Sequence, residues 1–206
     1  TLNDCAYVQT GTAKGRRFRS DEQVVEVPYL RVANVQDGFL DLAEIKEIAI
    51  RTDELARYSL QIGDVLMTEG GDFDKLGRGY IWQGEIPVCI HQNHVFAVRT
   101  DRNILSPQFL AYLVQSPYGK SYFLTVAHRT TNLASINTTK LKALPVQIPS
   151  KGEQQAIVDV MFAADAKIAA EEDRKTALEA LFKSMLHQLM TGQIRLLSDE
   201  GLPLPA

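Results

Sequence analysis

Residues 150–192 read SKGEQQAIVDVMFAADAKIAAEEDRKTALEALFKSMLHQLMTG, and this segment has the pattern of one long amphipathic helix. Apolar residues recur at steps of four and three, a spacing that places their side chains along one seam of a helix. The two charged members of the seam, Glu171 and Lys175, lie at its centre. The side chains expected at a helix interface are Ile157, Met161, Ile168, Leu178, Phe182, Met185 and Leu189.

Both ends of this helix carry termination signals. Ser150 and Glu153 have the spacing of a capping box, and Gly192 suits the left-handed residue that ends a helix. The predicted helix is about 38 residues, or roughly 57 Å, long. It can fold back on its own domain or pair with a partner. We favour a partner, because a domain of about 150 residues has a radius of gyration near 15 Å.

Composition predicts a soluble, cytoplasmic protein with one core and an appendage. The chain has 206 residues, of which 45% are hydrophobic and 23% charged, and it contains no apolar run long enough to span a membrane. The two cysteines, Cys5 and Cys89, are too few for a disulfide framework. Because the chain starts with Thr1 and not Met, we expect a few residues or a whole segment to precede it.

The charge distribution indicates a phosphate-binding face despite the net charge of −3. Residues 10–20 and 102–152 contain no Asp or Glu, although both segments contain Lys and Arg. The two basic segments would form one positive face if the fold brings them together, which is typical of nucleic-acid binding. The alternative is two solvated loops that bind nothing.

The remaining pattern predicts the α+β fold class. Residues 29–35, 64–68, 79–83 and 93–99 are predicted strands, and residues 108–115 and 138–144 are predicted helices. Residues 145–149 form a proline-bounded connector. We therefore expect a mixed α/β domain over residues 1–149, a long helix of coiled-coil type within residues 150–196, and a tail at 197–206.

Motifs for catalysis and metal binding are incomplete. The glycines at 71 and 77 are followed by Arg78, so the segment lacks the GxxxxGK[ST] pattern of a phosphate-binding loop. Cys89, His91 and His94 are close in sequence, but on a strand His94 would face away from the other two. We expect neither a catalytic site nor a metal.

Several segments, taken in order, resemble the target-recognition domain of type I restriction-modification specificity subunits. In the domain they are residues 29–35 (YLRVANV), 63–68 (GDVLMT), 70–71 (GG), 76–78 (LGR) and 92–99 (QNHVFAVR). Beyond it they are residues 132–137 (NLASIN), 145–149 (PVQIP), 153–157 (EQQAI) and 186–196 (LHQLMTGQIRL). Each motif is weak alone, and the resemblance depends on their order along almost the whole chain.

The resemblance implies a subunit that reads double-stranded DNA and performs no chemistry. In this family a long helix serves as spacer and docking surface, and a separate methyltransferase subunit methylates adenine with S-adenosylmethionine. No cofactor is then expected on this chain, and a restriction subunit is a further candidate partner. The family plan has two recognition domains, whereas the EQQ junction at 153–155 occurs once here. The chain is therefore a half-length form that pairs with itself or one half of a longer subunit.

The candidate DNA contacts lie in the two basic segments and in the glycine-bounded loop at 71–78. They are Lys14, Arg16, Arg17, Arg19, Lys75, Arg78, His128, Arg129, Thr130, Thr131 and Asn132. Lysines and arginines suit phosphates, and arginine also suits a guanine edge. For Arg78 a supporting role in the glycine turn is equally open. Two other functions also remain: an assembly scaffold that docks helices without reading DNA, and the recognition part of a fused restriction-methylation enzyme.

Overall fold

The computed structural model describes residues 1–73, 76–130 and 133–196, and it divides the chain after Val158 into two compact units. The predicted tail at 197–206 lies outside the described residues. The strands are β1 (Ala6–Thr10), β2 (Val24–Leu30), β3 (Lys46–Arg51), β4 (Val65–Thr68), β5 (Gly70–Gly71), β6 (Gly79–Ile81), β7 (Ile90–His91), β8 (Val95–Thr100), β9 (His128–Arg129) and β10 (Ala134–Ser135). The helices are α1 (Leu55–Tyr58), α2 (Pro107–Gln115), α3 (Pro117–Val126), α4 (Thr138–Lys142) and α5 (Lys151–Met190).

The first unit is built around an antiparallel sheet with the strand order β1-β8-β4-β6. Every residue of β4 is buried, and so are all residues of β8 except Arg99, which is half-buried. Because successive side chains of a strand point to opposite sides, both faces of these two strands are buried. Met67 and Phe96 pack in one core cluster with α2 and α3, and Leu66 and Ala97 pack in a second cluster with Trp82. The expected mixed α/β domain is confirmed.

Two smaller sheets flank the central one. Strand β2 pairs antiparallel with β3 and parallel with β7, and most buried apolar residues of these strands form a third cluster. Strand β10 pairs antiparallel with both β5 and β9, in the order β5-β10-β9. The small β5-β10-β9 sheet therefore connects the segment after β4 with the segment after α3.

Proline and serine start the two helices that cover the central sheet. The Ser106 hydroxyl accepts the Phe109 amide at 3.4 Å and begins α2, as predicted, and the Ser116 hydroxyl accepts the Gly119 amide at 3.3 Å and begins α3. The prediction ended the helical segment at 115 and missed α3. A Cβ on Gly119 would lie 2.6 Å from the Leu113 carbonyl oxygen, so glycine is needed where α3 turns away from α2.

Most predicted strands are confirmed within a few residues, but the strand predicted at 29–35 is wrong. Strand β2 ends at Leu30, and Val32–Asn34 is a 3-10 turn. The Asn34 side chain explains this turn, because its oxygen accepts the Arg31 amide at 2.9 Å and its amide donates to the Asp41 and Glu44 carbonyls. The strands β1 and β3 and most of β2 were not predicted.

Helix α5 has 40 residues and both predicted end signals. The Ser150 hydroxyl accepts the Glu153 amide at 3.3 Å, and Gly192 has a φ of 69° just beyond the helix end at Met190. In the second unit residues 159–187 are exposed, and the exposed fraction of Phe182 is 67%. The other predicted seam residues are exposed apart from Leu189, which is half-buried. No described helix combines the length and the apolarity that crossing a bilayer requires.

Gln154 fixes the first turn of α5 within the first unit. Its side chain is 1% exposed. The side-chain oxygen accepts the Ser106 amide at 2.8 Å, and the side-chain nitrogen donates to the Ile104 and Pro149 carbonyls at 2.9 Å each. One glutamine therefore satisfies three backbone groups on two segments that precede the helix.

Replacing Gln154 by alanine should lower the free energy of unfolding of the first unit by roughly 2 to 4 kcal/mol, because each buried group left unpaired costs about 1 to 3 kcal/mol. Urea unfolding followed by the fluorescence of the single tryptophan, Trp82, measures this change, since that side chain is 1% exposed. Gln147→Ala, at an exposed position in the connector before α5, is the control and should change stability by less than about 0.5 kcal/mol. Equal effects of both substitutions would contradict the role of Gln154.

Candidate nucleic-acid interface

The first basic segment follows β1 and is fixed at its start by the turn at residues 92–94. The Thr12 amide donates to the His91 carbonyl, and the Thr12 carbonyl accepts the Asn93 amide, both at 3.0 Å. A Cβ on Gly11 would lie 1.9 Å from the His91 carbonyl oxygen, so only glycine permits this approach. The segment therefore leaves the sheet from a defined point beside the turn that leads into β8.

Arg16 is bound within the fold, whereas Lys14, Arg17 and Arg19 are exposed. The guanidinium of Arg16 donates to both carboxylate oxygens of Glu54, at 2.7 and 3.0 Å, and to the Thr12 hydroxyl at 3.3 Å. The hydrogen bonds to Glu54 raise the pKa of Arg16 and lower the pKa of the Glu54 carboxyl. Arg16 thus supports the loop, and the exposed cations are the three others.

Within the second basic segment, residues 102–152, the candidate DNA contacts lie at β9 and immediately after it. His128, Arg129 and Thr130 are exposed. The Arg129 guanidinium lies 5.7 Å from the centre of the Phe73 ring and donates to the Leu124 carbonyl at 2.5 Å. The Thr130 amide donates to the Leu133 carbonyl at 2.8 Å. The candidates Lys75, Thr131 and Asn132 lie outside the described residues.

Arg78 makes the contacts of a supporting residue. Its guanidinium donates to the Gln36 side-chain oxygen at 2.6 Å, and its carbonyl accepts the Thr68 amide at 2.9 Å. The neighbouring Gly77 has a φ of 66°, and a Cβ there would lie 2.4 Å from the Phe123 ring. Of the two roles that the sequence left open for Arg78, the contacts favour support of the glycine turn.

A cleft of about 420 Å³ lies beside the β5-β10-β9 sheet. We call it the Glu69 cleft, and its lining residues are Val32, Glu69, Gly70, Gly71, His94, His128, Thr130, Leu133, Ala134 and Ser135. The Glu69 carboxylate and the Nδ1 atom of His94 are 2.6 Å apart, and the exposed fractions of these side chains are 28% and 56%. Sequence reasoning missed Glu69 altogether and considered His94 only as a metal ligand.

The turn at residues 92–94 connects the two basic segments. On one side the Asn93 amide binds the Thr12 carbonyl at the start of the first segment. On the other side the His94 ring binds Glu69, whose carbonyl accepts the Ile136 amide at 2.8 Å next to β10. The fold therefore links both segments through one hydrogen-bonded turn.

Two other lysines of the second basic segment bind groups within the protein. The Lys120 ammonium donates to the Asp37 carboxylate at 2.7 Å, and the Lys151 ammonium donates to the Arg102 carbonyl.

Cys89 and His91 are buried core residues. Burial raises the pKa of the Cys89 thiol to about 12 and lowers the pKa of the His91 imidazole. The His91 Nδ1 atom lies 2.7 Å from the Val95 carbonyl oxygen. Across residues 1–73, 76–130 and 133–196 there is no cluster of three or more His, Cys, Asp or Glu that would hold a metal ion.

Comparisons with known proteins agree with this fold. The profile of the type I restriction modification DNA specificity domain matches residues 1–180. The chain is 26% identical over 178 residues to a Methanocaldococcus jannaschii protein assigned as the MjaX type I restriction enzyme specificity subunit, a match over 86% of this chain and 42% of that protein. It is 24% identical over 196 residues to the EcoKI specificity subunit of Escherichia coli, over 91% and 41% of the two chains.

The fold also matches the crystal structure of the HsdS subunit from Thermoanaerobacter tengcongensis with a TM-score of 0.63 and 17% sequence identity. This match covers 99% of the present chain and 50% of that subunit. The chain spans about two fifths of the length of the curated relatives, with 42% and 41% covered.

The Arg16–Glu54 pair should stabilise the first unit by about 1 kcal/mol at pH 7, since both side chains are partly buried and the contact is bidentate. Because the folded pKa of Glu54 is below its ordinary value of 4.5, this contribution is complete above that value and is lost as the pH falls through the lower pKa. A double-mutant cycle with Arg16→Gln and Glu54→Gln at pH 7 and pH 3 measures it. The more exposed Lys46–Glu44 pair is the control and should show weaker coupling; coupling that is unchanged at pH 3 would contradict the prediction.

Proposed function

We propose that the chain is a DNA recognition subunit, because it belongs to the type I restriction-modification DNA specificity family, whose profile matches residues 1–180. It carries one recognition domain and one spacer helix. It holds double-stranded DNA at a defined sequence for a partner methyltransferase that modifies adenine, and a restriction subunit joins the same complex. S-adenosylmethionine binds to the methyltransferase, and this chain contributes no catalytic group.

The observation that carries the proposal is the linkage of the two basic segments through the turn at 92–94. Lys14, Arg17 and Arg19 are exposed on the first segment, and His128 and Arg129 are exposed on the second. Flexible cations of this kind neutralise phosphates and fix the protein on the duplex without reading sequence. In the second segment β9 is paired with β10, and its exposed side chains suit contacts with base edges.

Arg129 is the arginine with the most defined orientation in the second segment. Its guanidinium is held by the Leu124 carbonyl and by the Phe73 ring, yet the side chain is exposed. An arginine whose plane is fixed in this way loses less entropy when it forms two hydrogen bonds to guanine O6 and N7. We therefore assign phosphate contacts to the first segment and base contacts to the second.

Binding should be salt-sensitive, and Lys14→Ala or Arg17→Ala should weaken it on every duplex by a similar factor of roughly 2 to 10, because each removes a phosphate contact. Arg129→Ala should instead reduce the preference at one or two base positions. Titration of specific and scrambled duplexes at several salt concentrations separates the two effects. Lys46→Ala, an exposed lysine on β3, is the control. Affinity unchanged by all three loop substitutions would remove both segments from the interface.

The exposed seam of α5 has the symmetry of an antiparallel pair of identical helices. If two copies align about Asp173, the apolar position Ile157 meets Leu189 of the second copy, and Ile168 meets Leu178. At the centre of the seam Glu171 of each copy meets Lys175 of the other, so that the only charged seam positions are paired. Such charges specify register and orientation at some cost in stability. We infer that a second copy covers this seam, and that the pair reads an interrupted palindrome.

Charge reversal tests this pairing. Glu171→Lys alone, or Lys175→Glu alone, should weaken dimerisation by at least roughly tenfold, because each creates two like-charge contacts in the seam. The double variant Glu171→Lys/Lys175→Glu should restore dimerisation, since the opposite charges then meet again. Analytical ultracentrifugation at low micromolar concentration measures the dissociation constants.

Asp173→Lys provides the control for the change of charge, because this position lies on the helix face opposite the seam. It should leave the dissociation constant within about twofold. A parallel pair would bring Glu171 against Glu171, so the double variant would show no recovery relative to the single variants. A wild-type chain that stays monomeric would show that the seam needs a different helix, such as a second half-subunit.

A further inference from the structure

The Glu69 cleft places a carboxylate within the surface that we assign to DNA. Among the described residues that line the cleft, Glu69 is the acidic one, and His128 and Thr130 belong to the second basic segment. A carboxylate near phosphates is repelled by them, so Glu69 opposes sequence-independent binding. In a complex with DNA, a hydrogen-bond donor on the DNA would offset this repulsion, and the donors in the major groove are base amino groups.

The chemistry of the base edges selects one base for a carboxylate. Guanine and thymine present acceptors in the major groove, which repel a second acceptor. Adenine presents its N6 amino group beside the N7 acceptor, so a carboxylate that approaches the amino group also meets a lone pair. Cytosine presents the N4 amino group with no acceptor on the same base edge. A carboxylate therefore favours cytosine over the three other bases.

The structure fixes Glu69 for such a contact. Its amide donates to the His94 carbonyl at 2.9 Å, and its carbonyl accepts the Ile136 amide at 2.8 Å, so the backbone is held on both sides. The His94 ring holds the carboxylate at 2.6 Å, which uses one of about four acceptor positions of that group. Fixing a free glutamate side chain costs rotamer entropy, and His94 removes much of that cost before DNA binds.

The strand next to Glu69 leaves space at the cleft floor. Gly70 and Gly71 form β5, and neither carries a side chain that would fill the cleft. A Cβ on Gly70 would lie 2.7 Å from the Ala134 carbonyl oxygen, so glycine is also needed for the pairing of β5 with β10. Ser135 and His128 line the same cleft. A base edge can thus approach Glu69 without meeting a side chain from β5.

We propose that Glu69 determines specificity by accepting a hydrogen bond from the N4 amino group of one cytosine in the recognised half-site, and that His94 is a positioning residue that orients the carboxylate. This inference rests on the proposed function, since it names a base read by the same interface. The contact is direct for Glu69, whereas His94 acts through it.

The test is the base preference of the full chain on a duplex library with a randomised half-site. Wild type should prefer cytosine at one position by roughly fivefold or more. Glu69→Gln keeps the size of the side chain but adds a donor beside the acceptor, which suits adenine N6 and N7. The variant should therefore shift that position from cytosine towards adenine and leave the other positions unchanged.

His94→Ala should reduce the cytosine preference at the same position without creating a new one, because a mobile carboxylate still selects an amino group but less strongly. A merely structural role for His94 would lower affinity equally on all sequences and leave every base preference intact. Glu26→Gln, at an exposed position on β2, is the matched control for loss of a carboxylate. Trp82 fluorescence and urea unfolding confirm that each variant is folded.

The outcomes separate this inference from the proposed function. If the wild-type chain binds all duplexes equally, or binds none of them, the proposed function is refuted before any variant is made. If the wild-type chain binds specifically and the Glu69→Gln variant has the same base preference, the proposed function is retained. The role of Glu69 in specificity is then overturned. A variant that binds every sequence more tightly by one common factor also overturns it, because Glu69 would then act only through repulsion of phosphates.

Discussion

The pairing of β8 with both β1 and β4 is the constraint on which the interface depends. Strand β8 is buried on both faces, so its register is fixed by two separate core clusters. At one end the pairs Thr10–Phe96 and Thr68–Val95 bring the ends of β1 and β4 to the same turn. The first basic segment leaves from β1, and Glu69 follows β4. A slip of one residue in β8 would move both segments and reverse the faces of the strand.

The opposite end of the same strand supports the junction with α5. The Asp64 carboxylate, 1% exposed, receives two hydrogen bonds from Arg99 near the end of β8. Beyond β8, the segment around Ile104 and Ser106 is bound by Gln154. One strand thus positions the proposed DNA contacts at its start and the helix junction at its end. The rigidity of the interface and the anchoring of α5 share one set of core contacts.

The sequence predicted those features that repeat or that depend on neighbours in the chain. The seam of α5, its caps and the apolar strands β4 and β8 are of this kind, because local periodicity identifies them. The partners Arg16 and Glu54 are 38 residues apart in the sequence, and Glu69 and His94 are 25 apart. No local sequence pattern predicts either contact. The strand predicted at 29–35 failed for a different reason, since the Asn34 side chain competes with strand pairing through a local contact, the hydrogen bond from the Arg31 amide. Candidate cations could therefore be identified by type, but the pairing of Arg16 could not.

The charge distribution is compatible with the proposed binding of a polyanion by an acidic chain. Residues 151–206 hold six basic and nine acidic side chains, so the net charge of −3 lies entirely in that segment, and residues 1–150 are balanced. Within the first unit some acids are used to hold cations or rings, as Glu54 holds Arg16 and Glu69 holds His94. Each cation held in this way is not available to phosphates, and we expect sequence-independent binding to be correspondingly weaker. In such a protein a larger share of the affinity must come from contacts with base edges, which favours discrimination between sites over retention on random DNA.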